Sequence, residues 1–242
     1  MRKSAKTLII TAVCVTAVGA LAAIAAPVIY RDFIAAPAAD APRLSADDSA
    51  LQPAAGEPLD PADFTGEWTI GAGSFAGYRV DEVLNGTAVT VTGRTEAITG
   101  TLAIDALSLH EANFSVDVSS IETDNSQRDN YFRTQVAHTD AHPSATFVLS
   151  SPVTVPAMPL SGEVINQEFT GNLTINGVTK EVKFSAQLRA NAPYADQPAS
   201  AEVSGQIPIV FSDFGMTAPE LGFVSVEQTG IIEFSLSAQP SQ

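Results

Sequence analysis

Cysteine is almost missing from this chain. Of 242 residues only Cys14 is one, and it lies in an apolar run near the N-terminus. The remainder therefore cannot form an intramolecular disulfide, a cysteine-based zinc site or a thiol nucleophile. Positive charge is scarce as well, with 12 Lys and Arg against 27 Asp and Glu. From Phe64 onward the counts are 7 and 20, so the imbalance is not confined to a tail. Such a surface repels nucleic acid and lacks the basic stripe that phosphate binding requires, so no nucleic-acid partner is expected. A P-loop is missing too, and so is the Gly-x-Ser-x-Gly elbow of a serine hydrolase. The "GAGSFAG" stretch at 71–77 is glycine-rich, but its spacing is wrong for a dinucleotide loop and Tyr78 starts a strand. A turn is the better reading.

Histidine is nearly as rare: His110, His138 and His142. His138 and His142, with Asp140 between them, would share one face of a helix and so resemble a zinc pair. Pro143 follows at once and no third ligand is evident, so they read as loop histidines. No metal or other cofactor is expected, and no cluster of titratable residues suggests an enzyme.

What is present begins with an export signal. Arg2, Lys3 and Lys6 precede Thr7–Tyr30, 24 residues without a charge. A cleaved signal peptide has an apolar stretch of about 7–15 residues, whereas a spanning helix needs about 20. Ala23-Ile24-Ala25 makes a poor cleavage site with Pro27 so close, so residues 1–30 read as a membrane anchor in preference to a cleaved signal. Either way the basic start stays inside and the rest is exported, membrane-anchored or secreted to the periplasm. Residues 31–63, rich in Ala, Pro and Asp, read as an extended and mobile linker.

From Phe64 the signal is almost entirely β. Short alternating runs recur at roughly ten-residue spacing with turn residues between them, as in an antiparallel sandwich or barrel. The clearest is "FTGNLTINGVTKEVKFSAQL", Phe169 to Leu188. Asn176-Gly177 suits both positive-φ positions of a type I′ turn, which sets Ile175 opposite Val178 and Thr174 opposite Thr179. Leu173, Ile175, Val182 and Phe184 then share one oily face. Phe114, Val116 and Val118 share a face in another strand, as do Phe147 and Leu149, and Ile232, Phe234 and Leu236 in the last. One segment departs from the pattern. Asp124, Asn125 or Ser126 suits the cap of a short helix from about Gln127 to Ala137, which would form a lid or plug at a barrel end.

"SQRDNYFRT…HPSATF" followed by "GNLTINGVTKEVKF" resembles the bacterial YceI-like family of polyisoprenoid-binding, lipocalin-like proteins. The landmarks are Arg128-Asp129, Tyr131-Phe132, Pro143 with Thr146-Phe147, and Leu173 through Thr179. The similarity runs over essentially all of Phe64 to Ala238. It implies an all-β, antiparallel lipocalin-like barrel over residues 64–240 with one helical insert and a long apolar tunnel. It also implies an isoprenoid ligand, a quinone or polyprenyl lipid, and no catalysis. Two features depart from the family pattern: there are no histidines on the first strands, and "QVAHTD" stands where an aromatic-rich run is usual.

On this reading the oily faces form a cavity wall of Phe114, Val116, Val118, Phe147, Leu149, Leu173, Ile175, Val182, Phe184, Ile232, Phe234 and Leu236. Arg128, Asp129 and Tyr131 would hold the rim or the lipid head. The expected function is an exported, non-enzymatic carrier of an amphipathic isoprenoid lipid. The alternative is an envelope interaction module whose barrel is filled by its own side chains. A second copy of the chain, making a homodimer, stays open as a further partner.

Overall fold

A computed structural model describes residues 37–44, 56–84, 86–222 and 224–241. The segment read as an anchor, residues 1–30, lies outside these. No helix among the described residues is long and apolar enough to cross a membrane.

Among the described residues twelve strands follow one another: β1 (Gly66–Ile70), β2 (Phe75–Leu84), β3 (Thr87–Thr95), β4 (Ile98–Asp105), β5 (Ser108–Asp117) and β6 (Ser144–Leu149). Then come β7 (Val153–Thr154), β8 (Val164–Ile175), β9 (Val178–Asn191), β10 (Ser200–Val210), β11 (Val224–Val226) and β12 (Thr229–Pro240). The order β1-β4-β5-β6-β8-β9-β10-β12 closes on itself because β12 also pairs β1, with Ile70 opposite Ala238. Every pairing is antiparallel, and eight strands close the wall. At this size a barrel either fills with side chains or holds one small ligand.

β2 prolongs the line of β1, and β12 pairs with both. The break between them is the glycine-rich turn. Ser74 bridges it: its hydroxyl donates to Gly71 O at 2.8 Å and accepts from Ser237 N at 2.9 Å. A side chain thus restores the ladder where the backbone leaves it. The long hairpin of β8 and β9 has the register expected of Asn176-Gly177, with Ile175 opposite Val178 and Thr174 opposite Thr179. Asn176 and Gly177 sit at φ 51° and 73°.

One end of the barrel is stoppered. Leu59, Phe64 and Trp68 are buried with Leu102, Ala112 and Ala238. The Phe64 and Trp68 rings stack at 5.6 Å, and the indole N–H donates to Phe64 O at 2.9 Å. The last part of the expected linker thus packs as a floor.

Another part of it is also docked. Pro37–Leu44 runs across the outer wall, where Ala39 N donates to Thr92 Oγ1 at 3.2 Å and Leu44 N to Gln187 Oε1 at 2.9 Å. Arg94 Nη2 donates to Asp40 O at 2.6 Å, and Arg79 Nη2 to Ala39 O. This differs from a mobile spacer over these residues, and the cause is physical. An extended Pro- and Ala-rich backbone keeps its polar groups free, and long polar side chains on the outside of the barrel satisfy them.

Between β5 and β6 lies the expected helical insert, α1 (Ser126–Tyr131), followed by a wide π turn over Phe132–Val136. Asn125 caps α1 by accepting from Gln127 N and Arg128 N. The insert is shorter and less regular than a helix to Ala137, with Ala137 N bonding to Phe132 O five residues back. It packs beside β2, where the Phe132 and Tyr78 rings lie 4.8 Å apart.

Candidate functional site

Inward glycines keep the barrel hollow. Gly100 faces Phe114, Gly205 faces Phe234 and Gly93 faces Tyr78 across neighbouring strands. A Cβ on Gly100 would meet the Phe114 ring at 2.3 Å, and one on Gly205 would meet the Phe234 ring at 2.5 Å. Each ring therefore rests where a side chain is missing, flat against the wall instead of across the bore. Phe184 links this wall, 5.6 Å from Phe147, 5.6 Å from Phe169 and 5.7 Å from Phe234.

The space left is a cavity of about 740 Å³. That lies within the range of about 300–1,000 Å³ typical of small-molecule sites. Leu102, Leu109 and Ala112 line it at the floor, and Leu84, Leu221 and Val224 line its other end beside the insert. The reading of a barrel filled by its own side chains does not fit this space.

Of the twelve expected wall residues, ten line the cavity: Phe114, Val116, Val118, Phe147, Leu173, Ile175, Phe184, Ile232, Phe234 and Leu236. Leu149 and Val182 do not. Both flank Gly171 across adjacent strands, and the Phe147 ring, 2.3 Å from where a Cβ on Gly171 would be, occupies the place between them. Leu149 packs instead toward the floor, and Val182 against the core on the insert side. Period-two alternation identifies a face but not the ring that covers part of it.

At the rim, Arg128 and Tyr131 line the cavity. Asp129 does not. It is buried and accepts from Thr123 N at 3.0 Å and Thr123 Oγ1 at 2.7 Å, so it ties down the start of the insert. Arg128 reaches two carboxylates. Nη1 lies 2.6 Å from Asp124 Oδ1, and Nη2 lies 3.5 Å from Glu82 Oε1.

Glu82 was not expected here. Ala76, Tyr78, Val80, Glu82 and Leu84 all line the cavity from β2, so the carboxylate stands in phase with apolar neighbours. That phase is visible in "FAGYRVDEVL" and is the signal that alternation offers. Glu82 and Arg128 are the two charged residues of the described lining. Burial holds the Glu82 carboxyl above its ordinary value; Arg128 opposes the shift and Asp124 adds to it. Burial also pushes the Tyr78 phenol far up, with Arg128 lowering it and Asp129, Glu82 and Asp124 raising it further. Tyr78 therefore stays a neutral hydroxyl.

The histidines lie elsewhere. His138 sits at φ 47° with Nδ1 3.2 Å from Thr134 O, and His142 packs under Gly177 of the hairpin turn. No group of three or more His, Cys, Asp or Glu among the described residues is placed to hold a metal.

The model of the YceI-like domain matches residues 68–238. The chain belongs to the YceI-like family. A UPF0312 protein of Pectobacterium carotovorum is 33% identical over 52% of this chain and 61% of its own length. Protein YceI of Salmonella arizonae is 31% identical over the same shares, 52% and 61%. The matched region thus spans about three fifths of these curated relatives. Among solved structures, a polyisoprenoid binding domain from Saccharophagus degradans, implicated in plant cell wall breakdown, has the same fold. Its TM-score is 0.53 at 16% identity, covering 73% of this YceI-like chain and 99% of that one.

Proposed function

We propose that this YceI-like protein is an exported, non-enzymatic carrier that holds one amphipathic isoprenoid lipid, of quinone or polyprenyl type, with its chain inside the barrel. The observation that carries the proposal is the closed, hollow wall. Its lining is apolar except at the insert end, where Glu82 and Arg128 meet. Each methylene equivalent taken from water into such a lining gains about 0.8 kcal/mol before entropy is charged against it. A long prenyl tail therefore binds by length and shape, while the head stays at the polar end. The polyisoprenoid binding of the Saccharophagus degradans domain, which shares the fold, supports the same reading. Binding in place of turnover fits the lumen's two charged side chains, which pair with each other. The basic start and charge-free run of residues 1–30 support export and an anchor.

Native mass spectrometry of the full chain purified from a bacterial host is the test. The expected result is a co-purified lipid adduct that solvent extraction releases. A clean protein that also takes up neither a quinone nor a polyprenol probe overturns the proposal. Fractionation of the same cells tests export, which a cytosolic location would overturn.

A further inference from the structure

The charge at the mouth bears on which head the lipid carries. Glu82 is 8% exposed and stands on the inward face of β2 between Val80 and Leu84. A carboxylate in that setting carries a desolvation cost that an apolar residue would not. Its presence is not needed to neutralise Arg128, which already has Asp124 at 2.6 Å. The same guanidinium is therefore shared by two carboxylates, and Asp129 follows next in the chain. Tyr78 senses all three acids against the one base. An anionic head brought to this end would meet an excess of like charge where water is partly excluded, and two carboxylates already hold the guanidinium that would bind it.

The groups that remain suit a different head. A carboxylate accepts hydrogen bonds, a phenol that stays protonated donates them, and the Asn125 and Gln127 amides beside them do both. A hydroxyl both donates and accepts.

Resting on the lipid reading, we propose that Glu82 and Arg128 make the mouth selective for an uncharged, hydroxyl-bearing prenyl head, a free prenol, and against its phosphate ester. Glu82 is the specificity-determining residue, and Asp124 positions Arg128 from outside the lumen.

The experiment titrates the full chain with geranylgeraniol and with geranylgeranyl phosphate, two ligands with one tail, at pH 7.5 and low salt. The wild type is expected to bind the alcohol at least about tenfold more tightly. Glu82→Gln removes one like charge and is expected to narrow that ratio to about threefold or less, with the melting profile recorded as a check of folding. Asp124→Asn, at a surface position, is expected to narrow it as well and serves if the first variant is too unstable to assay. Equal or tighter binding of the phosphate by the wild type overturns the head selectivity alone. A ratio that neither variant changes overturns the role given to Glu82. Failure of the wild type to bind either ligand overturns the head selectivity, and failure to bind a quinone as well overturns the lipid reading itself.

Discussion

Arg79 Nε lies 2.6 Å from Glu233 Oε1 on the outer wall of the barrel, and the Glu233 side chain is wholly buried there. A carboxylate hidden on the outside of a barrel needs a cover and several donors. Arg94 Nη2 at 3.2 Å and Gln206 Nε2 at 3.1 Å supply further donors. Glu233, Gly77 and Arg94 stand in one row across three strands, and the missing side chain at Gly77 lets Arg94 cross it. The same two arginines hold the backbone of Pro37–Leu44, so the carboxylate organises the site where that segment docks.

Glu233→Ala therefore removes the common partner of two guanidiniums. Breaking a buried pair from one side costs about 3–5 kcal/mol. Arg79 and Arg94 keep 18% and 29% exposure, which places the expected loss nearer about 2–3 kcal/mol by urea denaturation. The docked segment should loosen at the same time, so trypsin should cut after Arg43 faster than in the wild type under native conditions. An unchanged rate of that cut would show that the arginines do not hold the segment.

Glu82 has the opposite sign. Its carboxyl is raised in the folded state, so between the unfolded value near 4.5 and the raised one the native protein binds more protons than the unfolded chain. Stability from this group is then fully present below 4.5 and is lost as pH rises through the raised value. Glu82→Gln should melt higher than the wild type at pH 7, and the two curves should converge as pH falls to 4. A Gln variant less stable at pH 7 would mean that the contact with Arg128 outweighs desolvation.

How much of this was legible in the chain depends on distance along it. The hairpin of β8 and β9 could be read because its register is set within a few residues by Asn176-Gly177. Likewise the Asn125 cap and the inward phase of Phe114, Ile232 and Phe234 are local. Closure of the wall is not local, since it joins Ile70 to Ala238, and only the family resemblance anticipated it. The roles of Leu149 and Val182 were lost for the same reason: both pair with Gly171 of β8, far from Leu149 in the chain, and the Phe147 ring fills the space over that glycine. Docking of Pro37–Leu44 was least legible of all. It is governed by Thr92, Arg79, Arg94 and Gln187, none of which marks itself in the sequence as a partner of an Ala- and Pro-rich stretch.

Asp129 separates holding the insert from meeting the ligand. Its carboxylate takes both the backbone N–H and the hydroxyl of Thr123. Asp129→Ala leaves a partly buried N–H without its acceptor, at an expected cost of about 1–2 kcal/mol. Hydrogen exchange should then speed up over residues 122–137 while the floor around Trp68 keeps its protection. Loss of protection in both places would make Asp129 a determinant of the whole fold instead of the insert.

The hollow itself is open to a direct test at Gly205. A methyl group there would lie 2.5 Å from Phe234 Cζ and 2.9 Å from Ala186 Cβ. The Ala186 wall is close-packed, so the ring at the end of the Phe234 side chain is what yields, and the bore is where it has room to go. Gly205→Ala should thus cost about 1–3 kcal/mol through overpacking, even though alanine stiffens an unfolded chain more than glycine does. It should also shrink the lumen and lower the fraction of protein that carries a lipid adduct in native mass spectra. Adding Phe234→Leu in the same chain removes the ring and should recover that fraction. If the double variant stays as empty as the single one, the pairing of inward glycines with aromatic rings is not what keeps the barrel open.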